Sequence, residues 1–329
     1  MSSQKCASHL EIARLESLNF KISQLIYFVL IITTLFFTFF ALKVIQKKCI
    51  FQLSTKILLY QNLFSANIHQ IFLGITIVER LNIAFFKLND KCIPLRPETN
   101  CQLYLEMFIA GLSGMVYGQT GLLFERACAT FIKKYEKRKS LATGIITSII
   151  VLLLSGSTAR IIIWDDPLSE YQLACTSWPS KSRDRSTMFF SICTFISLFN
   201  LVISLLIRRH NEKLEYSTPF VVGPRFRKRE VIDSTSTICF LTFFQFIFMF
   251  IYSFGVFLLG TIREIIGYEQ YYFWVVWVYT IPFIAASFPI LLIYRIRYSN
   301  TNRIMIIKQF TSTKQTQEDH IKQMKNVWN

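Results

Sequence analysis

The sequence predicts an all-α membrane protein, a seven-transmembrane helix bundle with its N-terminus outside and its C-terminus cytoplasmic. Three observations predict it. Seven apolar stretches run through the 329 residues, each close to the ~20 residues that one bilayer crossing needs. The composition is 52% hydrophobic, with 32 Phe, and only 17% charged, which is too apolar for an ordinary soluble domain. The basic residues fall mostly in alternate gaps between the stretches. Hydrocarbon cannot satisfy exposed backbone N–H and C=O groups, so such a chain must cross as helices.

The first expected span is Ile22 to Leu42, free of charged residues. The second is Ile57 to Val78, with His69 its lone group that can be charged near neutral pH. The third, Met107 to Phe124, is short by the charge criterion and is expected to continue as helix at both ends. The fourth runs from Leu141 to about Ala159, and the fifth from Thr187 to Ile207. The sixth lies within Ser234 to Ile262, an uncharged run longer than a crossing needs, which tilt would absorb. The seventh, Tyr271 to Tyr294, is interrupted by Pro282 and Pro289. No linker or internal repeat divides the chain. The expected parts are a short extracellular N-terminus over 1–21, a helical domain over 22–294 and a basic cytoplasmic tail over 295–329. The first 21 residues hold five charges and no apolar core, so the first span is expected to act as its own insertion signal.

Charge sets the orientation. With the N-terminus outside, the gaps Lys43–Lys56, Glu125–Ser140, Arg208–Asp233 and the tail from Arg295 face inward. They hold 24 of the 36 Lys and Arg and 8 of the 20 Asp and Glu. The outward segments hold 12 of each. The whole net charge of +16 therefore sits on one face, which is the positive-inside pattern. Anionic inner-leaflet lipid favours it. The same charge in a soluble chain would suggest nucleic acid, but no nucleic-acid-binding motif is present.

That topology places Cys6, Cys92, Cys101 and Cys175 in the oxidising compartment, where four cysteines allow three pairings. Cys101–Cys175, tying the third helix to the second outer loop, is favoured. Cys6–Cys92 would then join the N-terminus to the first outer loop. Unpaired outer thiols are the alternative.

Glu125-Arg126, at the inner end of the third span, is the most informative local motif. A guanidinium at a membrane boundary is costly unless it is paired or reaches water. One reading is an activation switch, with Arg126 held by carboxylates at rest and Glu230, at the foot of the sixth helix, as a cross-helix partner. The bland reading is an ordinary helix-end ion pair. The basic residues Lys133, Lys134, Lys137, Arg138 and Lys139, and Arg225, Arg227, Lys228 and Arg229, are topogenic. They also suit docking of a cytoplasmic partner such as a heterotrimeric G protein.

Gly111, Gly114, Gly118 and Gly121 share a face of the third span, a pattern that favours close helix packing. Asn62, Ser65, His69 and Thr76 share a face of the second and are expected to turn into the bundle. Tyr117, Tyr252, Trp277 and Tyr279 are candidate pocket residues for a small organic ligand, although Tyr and Trp also gather at membrane interfaces. Pro282 and Pro289 remove backbone donors and mark a candidate hinge. The four histidines (His9, His69, His210 and His320) are scattered. No metal site, cofactor motif or enzyme constellation is read. The near absence of ionisable groups from the spans argues against an ion-coupled pump.

A family resemblance rests on a series of short motifs. Cys6-Ala7-Ser8 precedes Ser17-Leu18-Asn19-Phe20-Lys21. Glu125-Arg126 is followed by Ala129-Thr130 and Tyr135-Glu136. Arg225-Phe226 and Arg229-Glu230 lead into the sixth span. Pro282, Pro289 and Tyr294-Arg295 close the seventh. In this order the chain resembles nematode serpentine receptors of class alpha over essentially its full length. The resemblance implies a G-protein-coupled receptor for environmental chemicals in the plasma membrane, displayed on sensory-neuron cilia. It also implies that Glu125-Arg126 corresponds to the acidic-Arg motif of rhodopsin-like receptors. Two departures stand out. Ala127 follows the Arg where an aromatic is usual, and Phe288-Pro289 has Tyr294 five residues on, where an Asn-Pro pair would have its Tyr at three.

The expected function is chemosensory reception of a small molecule, with signalling through a heterotrimeric G protein. The rival reading is a seven-helix ligand-gated cation channel or small-solute transporter. A channel of the insect odorant-receptor type carries its N-terminus inside, against the basic-residue asymmetry. A non-signalling membrane scaffold is a third reading.

Overall fold

A computed structural model describes residues 6–49, 51–87, 95–132, 135, 137–172, 175, 178–179, 181–216 and 222–312. Its helices are α1 (His9–Glu16), α2 (Leu18–Lys48), α3 (Leu53–Phe86), α4 (Glu98–Phe131), α5 (Lys137–Ile162), α6 (Ser182–Tyr216), α7 (Val222–Val278) and α8 (Ile281–Ser312). Two short strands, β1 (Arg96–Pro97) and β2 (Tyr171–Gln172), pair antiparallel. Among the described residues, seven segments are long and apolar enough to cross a membrane. α7 holds the sixth of these up to Gly267, where φ is +74° and the chain turns. The seventh spans Glu269–Met305, broken at residues 279–280.

The helices overrun the apolar stretches. α2 has 31 residues, about 46 Å at ~1.5 Å per residue, against a hydrocarbon core of about 30 Å. α4 begins at Glu98 and ends at Phe131, so the short third stretch is the middle of a full-length helix. α8 continues past Tyr294 to Ser312, into the expected tail. Residues 9–16 form a helix of their own, α1. Ser8 accepts a hydrogen bond from the Glu11 N–H and the Glu11 carboxylate accepts from the Ser8 N–H, a capping box that satisfies the first turn. Ser17 then closes α1 and caps α2 through the Phe20 N–H.

The apolar surface is inverted relative to a soluble protein. Phe36, Phe39, Ile149, Leu153, Phe195, Phe199 and Phe257 are exposed on the outside of the bundle, where lipid tails replace water. Burial of such groups between helices therefore supplies little drive, and close packing of small residues matters more. α4 is the central helix. Its most apolar window is 72% buried, against 17% for the sixth span. Its glycine face meets the polar face of α3. A Cβ on Gly111 would stand 2.5 Å from the His69 backbone nitrogen, and one on Gly118 would stand 2.6 Å from the Asn62 amide. The two stripes read separately in the sequence are the two sides of one interface.

Two apolar clusters fill the bundle, one towards each end. The end that carries α1 is packed by residues such as Phe20, Ile31, Ile77, Ile109 and Ile281. The opposite end is packed by Ile45, Leu58, Leu122, Leu241 and Leu292. The β1–β2 ribbon crosses the α1 end, in the register Arg96↔Gln172 and Pro97↔Tyr171. A disulfide joins Cys101, in the first turns of α4, to Cys175 just after β2, with Cα atoms 4.7 Å apart. Cys6 is disulfide-bonded; Cys92, like Lys133 and Lys134, lies outside the described residues. Cys49, Cys128, Cys193 and Cys239 are free thiols.

Candidate functional site

A cavity of about 510 Å³ opens at the α1 end. Such a volume falls within the roughly 300–1,000 Å³ of small-molecule sites. Its floor is aromatic. Phe190 and Tyr252 meet edge to face at 4.7 Å, Tyr252 and Tyr279 at 5.7 Å, and Tyr27 and Tyr279 at 5.8 Å. Phe108 stacks on Tyr279 at 6.4 Å, and Trp178 meets Phe190 at 6.2 Å. Offset and edge-on pairs of this kind suit ring quadrupoles. Charged side chains also line the space: Glu11 and Arg14 from α1, Arg80 from α3, Glu98 from α4, Glu170 beside β2, and Arg183 from α6. The ribbon and its disulfide hold the Glu170 side in place. The Glu98 N–H donates to the Glu170 carbonyl, and the Glu98 carboxylate accepts from the Glu170 N–H.

Of the sequence-expected pocket residues, Tyr252 and Tyr279 line the cavity, whereas Tyr117 and Trp277 are not among its lining residues. The Tyr117 hydroxyl lies 3.4 Å from Thr158 of α5. The Trp277 ring N–H donates to the Asn19 amide oxygen of α2. The expected pocket residues belong to the third, sixth and seventh spans. The cavity also takes walls from α1, α2 and α3. By charge counting Arg80 is one of the 12 basic residues of the outward segments. Its position just past the uncharged run Ile57–Val78, on the same helix, is the available signal.

Beside the cavity the seventh span breaks at residues 279–280. Pro282 has no N–H to offer the carbonyl four residues earlier, so the helix restarts there. The Thr280 carbonyl accepts from the Phe283 N–H. Carbonyls around the break are met from other helices. The Tyr27 hydroxyl lies against the carbonyls of Val276 and Tyr279, and the Gln70 amide donates to the Pro282 carbonyl at 2.9 Å. The Thr280 hydroxyl donates to the Phe248 carbonyl of α7 at 2.6 Å. Pro289 sits inside α8.

At the other end of α4, Glu125 and Arg126 are both fully buried. Consecutive helical side chains normally diverge, yet these two curl onto each other. Arg126 Nε donates to Glu125 at 2.6 Å, and Nη2 donates to the other carboxylate oxygen. Arg126 further donates to Ser234 Oγ of α7 at 2.8 Å and to Gln52 Oε1 at 3.4 Å. Glu125 also accepts from Ser54 and Thr55 of α3, at 2.7 and 3.1 Å. Ser140 of α5 joins Ser54 and Gln52. Four helices thus meet on one ion pair. Its contact on the sixth span is Ser234; Glu230 is buried one turn earlier on the same helix. In the sequence Ser54, Thr55 and Ser140 lie near helix ends, where small hydroxyl residues look like caps, and nothing there distinguishes Gln52 or Ser234.

A second polar cluster lies nearby. Arg303 of α8 is ion-paired with Asp233 of α7 at 2.5 Å, Ser299 donates to the same carboxylate, and Arg295 donates to Ser236. It ties the sixth span to the seventh.

Comparison with known proteins gives one consistent answer. A family model described as the serpentine type 7TM GPCR chemoreceptor Sra matches residues 1–328. The chain is 64% identical to serpentine receptor class alpha-4 of Caenorhabditis elegans over 328 residues, covering 100% of both chains. It is 64% identical to serpentine receptor class alpha-7 of the same organism over 329 residues, again covering 100% of both. It is 34% identical to serpentine receptor class alpha-10 of Caenorhabditis briggsae over 325 residues, covering 98% of this chain and 97% of that one.

Proposed function

Because the chain belongs to the Sra family of nematode serpentine seven-helix chemoreceptors, we propose that it detects an environmental small molecule and signals through a heterotrimeric G protein. The observation that carries the reading is the pairing of an aromatic, partly charged cavity at the α1 end with a closed ion-pair network at the other end of the same helix. Phe108 and Glu125 are 17 residues apart on α4, about 25 Å along its axis. In this reading the α1 end faces the exterior and the basic loops face the cytosol, as the charge asymmetry favours. The receptor works in the plasma membrane of sensory cilia.

A ligand shifts such a protein only by binding one conformation better than another. The proposed resting state is the one with Arg126 held by Glu125 and Ser234. Ligand in the cavity moves the broken seventh span, for which Pro282, Pro289 and the break at 279–280 are the hinge. The Asp233–Arg303 tie passes that motion to α7. Release of Arg126 from Ser234, one turn from the buried Glu230 proposed as its cross-helix partner, opens the basic end to the G protein. The Cys101–Cys175 bond keeps the roof of the cavity in place, with Cys6 and Cys92 proposed as its second tether.

The test uses the full chain in a heterologous cell. An N-terminal epitope tag should stain without permeabilisation, and a panel of environmental chemicals should evoke G-protein activation. Arg126→Gln should remove the response in the fraction of receptor that reaches the surface. Ligand-evoked current that persists without any G protein would favour the channel reading and overturn this one.

A further inference from the structure

The cavity carries a more specific chemical statement, which rests on its being the ligand site proposed above. Most of its charged groups are engaged or lie at the rim. Glu11 is held in the α1 capping box. The Arg14 guanidinium stacks on the Tyr272 ring at 4.7 Å. Glu98 accepts a backbone hydrogen bond. Glu170 and Arg183 are exposed. Arg80 differs. It lies on α3 within a membrane-crossing helix and is half-buried, and among the described residues it makes no hydrogen bond or ion pair. Its sequence neighbour Glu79 is ion-paired with Arg96.

Two further groups in the same cavity are unmet. The Tyr279 hydroxyl is buried with no hydrogen-bond partner, and so is the Gln24 amide oxygen. Arg80 and Tyr279 are electrostatic neighbours. A cation facing a cavity within a membrane-crossing helix is expensive unless something meets it. An orphaned buried hydroxyl carries a similar cost. The guanidinium can only donate and the Tyr279 hydroxyl can donate, so one acceptor would meet both. The guanidinium fork fits a carboxylate through two parallel N–H···O bonds.

We propose that the cavity binds a small organic anion. Its carboxylate accepts from Arg80 and Tyr279, and its apolar or aromatic body packs against Phe108, Phe190 and Tyr252. Gln24 meets a hydroxyl or amide on the same molecule. An amine gains less here. Its candidate partners are Glu98, which already serves the ribbon, and Glu170, which is exposed.

The test is direct binding to the purified full chain in lipid nanodiscs, read by ligand-induced thermal stabilisation and by titration. The probes are matched sets of one skeleton each: 3-phenylpropanoate, 3-phenylpropanol and 3-phenylpropylamine, then octanoate, octanol and octylamine. In at least one set the carboxylate should bind tenfold or more tighter than its alcohol and amine, a preference of about 1.4 kcal/mol. Arg80→Gln should abolish that preference, and Arg80→Lys should keep part of it. Alcohols or amines binding as tightly as carboxylates in both sets, or no carboxylate binding at all, overturns the proposal. The wild-type panel decides alone if Arg80→Gln does not fold. Failure of the receptor reading looks different: carboxylates bind but evoke no G-protein response. The converse, a G-protein response to neutral ligands with no carboxylate preference, leaves the receptor reading and removes this one.

Discussion

The two ends of α4 solve opposite problems with the same residue type. At one end Arg126 is fully buried and makes four hydrogen bonds, to Glu125, Ser234 and Gln52. At the other, Arg80 of the neighbouring α3 borders a cavity of about 510 Å³ and has no partner among the described residues. A closed hydrogen-bonded network favours one arrangement of the helices around it. An open site with unmet donors leaves binding free energy for a molecule from outside. On the proposed function the first is a holding element and the second a receiving one, and three measurements would break or sharpen that contrast.

The largest effect is expected at the closed end. Removing one partner of a buried ion pair strands the other and costs about 3–5 kcal/mol. Arg126→Ala should therefore lower thermal stability sharply and reduce surface level as well as signalling. Replacing both partners, Glu125→Gln with Arg126→Gln, should recover much of the stability while signalling stays absent. Unfolding of the single variant at the wild-type temperature would mean that the pair is not the holding element.

A smaller effect is expected beside the cavity. Tyr27→Phe removes the donor that meets the Val276 and Tyr279 carbonyls at the break. Leaving buried acceptors unmet costs about 1–3 kcal/mol. The melting temperature should fall modestly, and ligand response should weaken as the break loses its anchor on α2. An unchanged melting temperature would show that the break does not depend on that bond.

The smallest signal tests how dry the closed end is. Burial pushes the Cys49 thiol up to about 11, above its ordinary range. The thiolate is the reactive form, so a raised value makes it scarce at neutral pH. In a Cys128→Ser background, labelling of Cys49 by a thiol reagent should be slow at pH 7 and still climbing between pH 9 and 11. A rate that levels off near pH 9 would mean that water reaches this end at rest.

Much of the scaffold was legible in the sequence, and the reason differs from residue to residue. Ile22–Leu42 reads as a crossing because about 20 apolar residues without charge have one stable place in a cell. The stripes Gly111–Gly114–Gly118 and Asn62–Ser65–His69 were both visible by helical spacing, and the structure brings them face to face. The site was only partly legible. Glu125-Arg126 stood out because charge at a membrane boundary is unusual. Its partners Ser54, Thr55 and Ser234 did not, since a hydroxyl has many roles. Tyr252 and Tyr279 reach the cavity while Trp277 turns to Asn19 of α2. All three lie near one end of the bundle, and only rotation about the helix axis, set by neighbouring helices, separates them.

By itself the sequence determined the class, the seven crossings and the family, because apolar length and recurring short motifs are properties of the chain read in one dimension. The tertiary structure alone decided which polar groups meet and which are left open. That depends on helix rotation and on breaks such as the one at residues 279–280, where a missing backbone donor in one helix is answered by side chains from others. Arg126 and Arg80 carry the same charge on membrane-crossing helices. Only their neighbours in space enclose one in hydrogen bonds and leave the other bordering a cavity.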